Sequence, residues 1–387
     1  MTPITRQGWV AVGSGVASIV IARVFGILEL FVIGVGFFAA VLVAVAIVIV
    51  RRPRLRGGRW IHPMVMVAGD VGRVDIRIEH LGALPSVSFD LSETVGRPRA
   101  APYTARLPVP PMAGRAFTTT GYELTTTARG IVRLGPLIVE HRDPLGIART
   151  RTLLLDVDEV FVAPRSYLLD MPQLGQGVLG AHLLAMARRL GPGEFHGLRE
   201  YVDGDEPRSI HWKASARSEQ LLVKEHTTEG LRRCTVALDA STNGYRDPEG
   251  FERAITVAAS LVHSADRAGL TTRFVTADGI DLRGPDVAQQ TLRHLARLEL
   301  SSTPFETLEH DPGEGLGLLI AVGARAGAFA ARATHGLLDP TQTAITVSTE
   351  EASGRSLDVA ARSDREFINS WNVLLGRGRL DVEASRS

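Results

Sequence analysis

Four side chains that could transfer protons or bind a metal ion lie close together in the stretch Gly193–Glu225. They are Glu194, His196, Asp205 and His211. Carboxylates and imidazoles are the usual general acids and bases, so a hydrolase built on this cluster is one function that the stretch allows. No nucleophile lies beside a histidine in a recognised nucleophile elbow, and Glu194 and His196 lack the helical i, i+4 spacing of a metal pair. The sequence therefore favours a non-catalytic protein, with the hydrolase as the alternative.

The same stretch is predicted to form a strand, a turn, a helix and a second strand. Side chains alternate over Phe195–Tyr201, and Asp203–Asp205 is typical of a turn. A helix is expected over Pro207–Ser218, because Pro207 suits a first helical turn and Asp205 or Glu206 can cap it. Residues at i, i+3, i+4 and i+7 would then share one helical face: Arg208, His211, Trp212 and Ser215. Gln220–Glu225 is the second predicted strand.

Besides catalysis, two interpretations fit these residue types. In the first, Arg199 and Arg208 pair with nearby carboxylates while Trp212 packs inward, so that the stretch joins two domains. In the second, the stretch is a docking surface, because Arg, Trp and Tyr dominate the hot spots of protein interfaces. The sequence favours both of these over the catalytic interpretation.

Several distinct short motifs lie along the stretch and upstream of it. In the stretch they are Gly197–Tyr201, Gly204–Asp205, Arg208, Ile210–Trp212 and Ser215–Arg217; upstream they are Arg129–Ile131, Leu134–Pro136 and Asp143–Gly146. Together they resemble a bacterial family, the domain-of-unknown-function family 58 (DUF58). The resemblance implies a partner-binding or structural signature at seven residues: Arg199, Tyr201, Asp205, Arg208, His211, Trp212 and Arg217.

The resemblance also carries expectations about anchoring and partners. Members of that family often have two N-terminal membrane spans, and the family has no established catalytic residues. It is associated with MoxR-type AAA+ ATPases and with transglutaminase-like membrane proteins, and its C-terminal part is often likened to a von Willebrand factor type A domain. The resemblance thus implies an adaptor whose partner is a MoxR-type ATPase.

Strands and helices alternate from residue 234 to residue 377, which predicts a mainly parallel sheet with helices on both faces. The first strand, Cys234–Asp239, runs into Asp239, Ser241 and Asn243. This run is similar to the D-x-S-x-S motif of von Willebrand A domains, in which carboxylate and hydroxyl oxygens hold Mg²⁺. Asn243 replaces the last serine, and the strand ending at Ile320–Gly323 lacks the expected later aspartate. Either these three residues hold Mg²⁺, or Asp239 and Ser241 cap the following helical region; no other cofactor is expected.

Residues 60–164 contain short runs of alternating polar and apolar side chains, such as Val74–His80 and Gly130–His141. Gly and Pro interrupt them at regular intervals, and β-branched residues are frequent. This pattern predicts an antiparallel β-sandwich of immunoglobulin type. The sandwich is expected to act as a structural spacer, because no cluster of catalytic residue types lies in it.

Two apolar segments come first in the chain. Phe31–Val50 carries no charge, and about 20 helical residues reach roughly 30 Å, the thickness of a bilayer core. Gly8–Leu28 is a weaker segment, and a tight helical hairpin that turns near Phe25–Glu29 is expected; a cleaved signal peptide is the alternative. Arg6 precedes the first segment and several arginines follow the second, which predicts that both outer ends are cytoplasmic.

The whole chain is therefore expected to be a membrane-anchored α+β protein of the plasma membrane, multi-pass, with cytoplasmic soluble domains. A net charge of +1 gives no general attraction to nucleic acid, and the single cysteine excludes a disulfide framework. The predicted parts are a transmembrane helical hairpin (1–56), a β-sandwich (60–164), a family-signature connecting segment (165–233), a von Willebrand A-like α/β domain (234–377) and a tail (378–387). Envelope-related assembly is the expected process.

Overall fold

The computed structural model describes residues 3–190, 195–202, 210–217, 220–226, 231–276, 279–302, 315–351 and 357–377. The chain divides into two compact units, Met1–Ala163 and Pro164–Ser387. The described residues of the predicted connecting segment belong to the second unit. Two hydrogen bonds attach the start of this segment to the second unit. The N–H groups of Tyr167 and Leu169 donate to the hydroxyls of Ser260 and Ser264, respectively, both at 2.9 Å and both on the helix Pro248–Arg267.

The first unit begins with two antiparallel apolar helices, α1 (Arg6–Phe25) and α2 (Leu28–Val50). The Thr5 side chain caps α1, and Gly26 ends it in the left-handed conformation, at φ 71°. The two helices approach closely where both carry glycine, since a side-chain carbon on Gly34 would lie 2.9 Å from the Gly15 carbonyl oxygen. Small residues permit such backbone contact between apolar helices. By length and composition, both helices could span a membrane.

Strands make up the rest of this unit. They are β1 (Leu55–His62), β2 (Met66–Val67), β3 (Val71–His80), β4 (Phe89–Arg97), β5 (Ala100–Val109), β6 (Phe117–Thr125), β7 (Gly130–Arg142), β8 (Arg149–Leu155) and β9 (Asp158–Ala163). One sheet has the order β1-β3-β6, and the other has the order β2-β9-β7-β4-β5 with β8 paired to β7. All of these pairings are antiparallel except that of β2 with β9.

One hydrophobic core lies between the two sheets. Val74, Ile76 and Ile78 of β3 are fully buried and pack in the same cluster as Leu91 of β4 and Leu134 of β7. The buried positions of β3 alternate with exposed or half-buried ones, as a strand with one face in a core requires. The two-sheet arrangement follows from this pattern, whereas the immunoglobulin type stays a prediction.

Strand β1 begins within the segment that the sequence assigned to the membrane hairpin and its flanking arginines. One of those arginines, Arg59, has a side chain that is only 1% exposed and pairs with Glu93 and Asp158. Glu93 also accepts a hydrogen bond of 2.7 Å from the Tyr122 hydroxyl. Arg59, one of the arginines that follow the second apolar segment, is therefore part of the buried network of the β-structure.

The second unit mixes helices and strands. They are α3 (Gly177–Leu190), β10 (Phe195–Glu200), α4 (Trp212–Ser215), β11 (Leu222–His226), β12 (Leu231–Leu238), α5 (Pro248–Arg267), β13 (Thr271–Thr276), β14 (Asp281–Arg283), α6 (Val287–Arg297), β15 (Leu316–Gly323), α7 (Ala326–Leu337), β16 (Gln342–Ser348), β17 (Asp358–Ala360) and α8 (Asp364–Leu374). Strands β10 and β11 form a separate antiparallel pair.

The main sheet has the order β14-β13-β12-β15-β16-β17, and its strands are parallel except for β14 at the edge. Helices cover both faces. Ile255 of α5 and Trp371 of α8 belong to the core on one face, and Phe329 of α7 belongs to the core on the other. The predicted parallel sheet is confirmed. From β12 the chain adds β13 and β14 on one side of the sheet and then β15, β16 and β17 on the other. The carboxyl ends of the parallel strands β12 and β15 therefore flank the crevice where such sheets bind ligands.

Candidate functional site

The described signature residues surround the β10–β11 pair. In the register of this pair, Arg199 lies opposite Val223. Beyond it, the Tyr201 N–H donates to the Leu221 carbonyl at 2.8 Å, and the His211 N–H donates to the Leu222 carbonyl at 2.7 Å. These backbone bonds attach the segment that begins at Ile210 to the outer end of the strand pair, so the signature folds as one small module.

The helix that follows is much shorter than the predicted Pro207–Ser218. It spans Trp212–Ser215, and His211 is its N-cap: Nδ1 of His211 accepts the Ala214 N–H at 3.0 Å. Ile210 forms an isolated β-bridge with Val223 and is 9% exposed. The prediction that His211 lies within a helix is therefore wrong: His211 precedes the helix as its N-cap. Its backbone N–H donates to the Leu222 carbonyl and is not available for a helical hydrogen bond.

The predicted signature residues have different fates. Tyr201 and His211 are half-buried, and Trp212 and Arg217 are exposed. Asp205 and Arg208 lie outside the described residues, as does Glu194 of the alternative acid–base cluster. Arg199 and His196 lie in β10, but their side chains are outside the description. Of the proposed hydrolase residues, only the His211 side chain is described, and its Nδ1 serves as a helix cap.

Trp212 is 65% exposed, so it does not pack inward as the first interpretation required. Three other large apolar side chains of the module are exposed as well: Leu198 (39%), Val202 (63%) and Leu221 (46%). Because Glu200 lies opposite Leu222, the alternation of side chains puts Leu198 and Leu221 on opposite faces of the strand pair, so these side chains do not form one surface. A tryptophan exposed to this extent on a module held by backbone hydrogen bonds is typical of an interface residue rather than of a core.

The second predicted site lies directly after β12, at the crevice of the main sheet. Asp239 is 5% exposed. Its Oδ1 accepts the Ser241 N–H at 3.0 Å and the Ser241 hydroxyl at 2.6 Å, which folds the loop back on itself. Its Oδ2 faces Gly244, where an added side-chain carbon would come within 3.0 Å. Within the described residues, no arginine or lysine pairs with this carboxylate.

The third predicted ligand is Asn243. It is exposed on a 3-10 turn, Thr242–Gly244. The predicted cap is also absent from its expected place, because α5 is capped by Asp247, whose Oδ1 accepts the Glu249 N–H at 3.0 Å. Ser241 precedes the 3-10 turn without a side-chain cap bond.

Asp239 and Ser241 therefore present one carboxylate and one hydroxyl. Mg²⁺ takes six oxygen ligands and usually keeps several waters among them, so water or a second ligand would have to complete the shell around these two groups. Among the described residues, no group of three or more His, Cys, Asp or Glu side chains is arranged to hold a metal ion. The residues present do not fit a closed magnesium site, and the ligand set Asp239, Ser241 and Asn243 stays a prediction.

Sequence reasoning missed two residues at this edge. The Tyr245 hydroxyl donates to the Asp239 carbonyl oxygen at 2.6 Å; burial, together with the charges of Asp239 and Glu350, raises the pKa of Tyr245. Oε1 of Glu350 accepts the Arg246 N–H at 3.0 Å, which ties the end of β16 to the loop after β12. Glu350 lies more than 100 residues from Tyr245, so no local pattern could have linked them.

Comparisons with known proteins agree with the signature. The family model described as "Protein of unknown function DUF58" matches residues 197–330. The uncharacterised protein YeaD of Bacillus subtilis (strain 168) is 29% identical over 161 residues, which cover 39% of this chain and 37% of that protein. The chain thus spans little more than a third of the length of the curated relative that it matches.

Solved structures add little. An alkylpurine DNA glycosylase, AlkC, of Pseudomonas fluorescens is 12% identical, with 28% of this chain and 30% of that chain covered and a TM-score of 0.22. The CARDB domain of a Pyrococcus furiosus protein is 15% identical, with 29% and 88% covered and a TM-score of 0.20. A β-glucosidase of Listeria innocua is 15% identical, with 29% and 16% covered and a TM-score of 0.21. Scores this low do not establish a shared fold.

Proposed function

We propose that the protein is a non-catalytic, membrane-anchored adaptor whose signature module docks a protein partner on the cytoplasmic side. The observation that carries this proposal is Trp212, which is 65% exposed on a short helix capped by His211. Burying this exposed tryptophan in a complex would remove a large apolar surface from water. Trp212 is also of a residue type that often dominates binding energy.

The anchor is the α1–α2 hairpin. Large apolar side chains along it are exposed, including Val24 (71%), Leu28 (71%) and Leu42 (72%), as expected for helices whose outer surface meets lipid. Arg6 lies at the start of α1, and Arg51 and Arg52 follow the end of α2. Under the positive-inside rule, this end of the hairpin faces the cytoplasm, and so do the β-structure and the second unit.

The rigidity of the module supports docking over catalysis. Ser215 Oγ accepts the Leu222 N–H at 2.8 Å, and the His211 N–H donates to the Leu222 carbonyl, so that α4 is fixed to β11 from both sides. A preorganised surface loses little conformational entropy when a partner binds. Trp212 is therefore held in a conformation that a partner could recognise directly.

The partner that we propose is a MoxR-type AAA+ ATPase, acting in envelope-related assembly. This choice rests on the family resemblance and on the proposed von Willebrand A-like character of the second unit. The strand order of the main sheet, with its antiparallel edge strand β14, supports that character, and so does Asp239 at the carboxyl end of β12. An immunoglobulin-like β-sandwich between anchor and module would act as the spacer.

Affinity capture from the native host in mild detergent tests this proposal. Wild-type protein is expected to recover the ATPase, and Trp212→Ala is expected to weaken the interaction by about 2 kcal/mol, or roughly 30-fold in Kd. Trp60→Ala is the matched control, because Trp60 is also a substantially exposed tryptophan (48%) but lies on β1. Equal capture of the ATPase by wild type and Trp212→Ala would show that the docking surface lies elsewhere. Repeated capture experiments that recover no ATPase would rule out an ATPase as the partner.

A further inference from the structure

The β7–β8 turn is built around one buried carboxylate. Asp143 is 5% exposed; its side chain accepts the Leu145 N–H at 2.9 Å and the Ala148 N–H at 2.5 Å. The Gly146 N–H donates to the Asp143 carbonyl at 3.0 Å, and Gly146 has a φ of 69°, a conformation that glycine adopts without strain. The turn is therefore rigid, and it presents Leu145, which is 68% exposed.

This turn docks on the ends of both apolar helices. The Thr5 N–H donates to the Ile147 carbonyl at 2.9 Å, and the Thr5 hydroxyl donates to the Gly146 carbonyl at 2.6 Å. Gly8 of α1 is packed so closely that a side-chain carbon there would lie 2.3 Å from the Ile147 carbonyl oxygen. The turn is thus fixed to the first turns of α1 rather than extended into solvent.

Contacts with α2 give the level of the turn along the hairpin. Ala148 is fully buried in one cluster with Ala44 and Val48, and Ile147 packs against that cluster. Because α2 ends at Val50, Ala44 lies six residues before its end, or roughly 9 Å along the axis at 1.5 Å per residue. The β7–β8 turn therefore lies beside the apolar part of α2 and not beyond its arginine-flanked end.

We propose that the β7–β8 turn is a third membrane-contacting element, in which Leu145 inserts into the boundary between headgroups and acyl chains of the bilayer. This inference rests on the proposed membrane anchor. A segment at this depth must satisfy its backbone polar groups internally. Here the N–H groups of Leu145, Gly146 and Ala148 all donate within the turn, Pro144 has none, and the Gly146 and Ile147 carbonyls accept from Thr5.

The charges around the turn fit a lipid surface better than a second protein. Arg142 and Arg149 flank the turn with side chains 52% and 40% exposed, and Arg51 and Arg52 follow α2 at the same end. Glu140 pairs with Arg142, Arg149 and Arg151, so one carboxylate serves three guanidinium groups. The excess positive charge is arranged around an apolar tip, the combination that binds the interface of an anionic bilayer.

Site-specific labelling of the full-length protein tests this inference. The protein is reconstituted into vesicles of phosphatidylglycerol and phosphatidylethanolamine, and Leu145→Cys carries an environment-sensitive fluorophore. The native Cys234 does not compete, because it is fully buried and burial raises the pKa of its thiol to about 12. We expect blue-shifted emission, quenching by shallow spin-labelled lipids and loss of quenching by aqueous iodide.

Two further labels make the outcomes distinct. Met64→Cys, at a position 91% exposed beyond the far end of β1, is the aqueous control, and Leu42→Cys on α2 reports the anchor. Lipid quenching at 42 but full iodide access at 145 would overturn the inference and leave the anchor standing. Protection from iodide at 145 without lipid quenching would also overturn it, in favour of a contact with protein. Iodide access at both 42 and 145 would contradict both the proposed membrane anchor and this inference.

Discussion

Two aspartates at opposite edges of the same parallel sheet fold their loops in the same way. Asp239 follows β12 at the carboxyl edge, and Asp339 precedes β16 at the amino edge. In each loop, Oδ1 accepts both the N–H and the hydroxyl of the residue two positions later: Ser241 at 3.0 and 2.6 Å, and Thr341 at 2.7 and 2.5 Å. Up to this point, the two loops are equivalent.

The other carboxylate oxygen separates them. Oδ2 of Asp339 accepts a hydrogen bond of 3.0 Å from Arg233, whose side chain is 9% exposed and also donates to the Thr341 hydroxyl at 2.6 Å. Asp239 has no such cation within the described part of the chain. The same local motif is thus a closed structural element at the amino edge and an open one at the carboxyl edge, where ligands of such sheets bind.

The comparison predicts unequal costs for the same substitution. Asp339→Asn should lower the free energy of unfolding by about 3 kcal/mol, because it removes the carboxylate that pairs with the buried Arg233. Asp239→Asn should cost less than about 1 kcal/mol, because no buried cation pairs with that carboxylate in the part of the chain that the structure describes. Denaturant unfolding of the full-length protein in detergent measures both, followed by tryptophan fluorescence, to which the buried Trp371 contributes.

The two variants also reveal whether something external completes the open loop. Equal costs for Asp239→Asn and Asp339→Asn in the absence of divalent ions would contradict the comparison. If Asp239→Asn became costly only when Mg²⁺ was added, a cation would occupy the place at Asp239 that Arg233 occupies at Asp339. That result would support the predicted ligand set and would require further oxygens from water or a partner.

Acid should weaken the closed loop in a defined pH range. Burial alone would raise the pKa of Asp339, but hydrogen bonds from Thr341 and Arg233 outweigh it and hold the pKa below its ordinary value. A carboxylate with a lowered pKa stabilises the folded state above its unfolded pKa of about 3.9, and this contribution is lost as the pH falls through the folded pKa. The stability difference between wild type and Asp339→Asn should therefore shrink below about pH 4.

The measurement is a set of denaturant titrations of the two proteins at several pH values. Other carboxylates with lowered pKa values, such as Asp281 and Glu366, contribute to the acid sensitivity of both proteins and cancel in the difference. A difference that stayed constant from about pH 7 to about pH 3 would show that the Asp339 charge is not the stabilising feature.

The comparison also shows which features were within reach of the sequence. The alternation of Cys234–Asp239 with later helices and strands predicts the parallel sheet correctly, because period and turn signals are local. The same residues could not reveal that Arg233, only one position before that strand segment, pairs with Asp339 more than 100 residues away. The D-x-S pattern at Asp239 resembles a metal motif, whereas Asp339–Thr341, which folds in the same way, carries no such resemblance.

The signature module illustrates the same limit. His211 and Trp212 fit a helical spacing with Arg208, but β11 takes the backbone of Ile210 and His211 into strand pairing and leaves only Trp212–Ser215 as helix. Long-range pairing of this kind overrides local periodicity. The residue types nevertheless identified the region correctly, since the family model begins at residue 197.

The smallest expected difference in the free energy of unfolding is between two variants that each remove one hydroxyl group. Thr341→Val removes one hydrogen bond to Asp339 and one from Arg233, both to charged groups, so we expect a loss of about 2 kcal/mol in the free energy of unfolding. Ser241→Ala removes only the bond to Asp239, for which about 1 kcal/mol is expected. In both variants the N–H bond to Oδ1 remains, so the loops keep their fold and the two losses differ only by the bond from Arg233. A larger loss for Ser241→Ala than for Thr341→Val would mean that the hydroxyl at the open edge has a partner other than Asp239, and the distinction between the two loops would fail at the level of single hydrogen bonds.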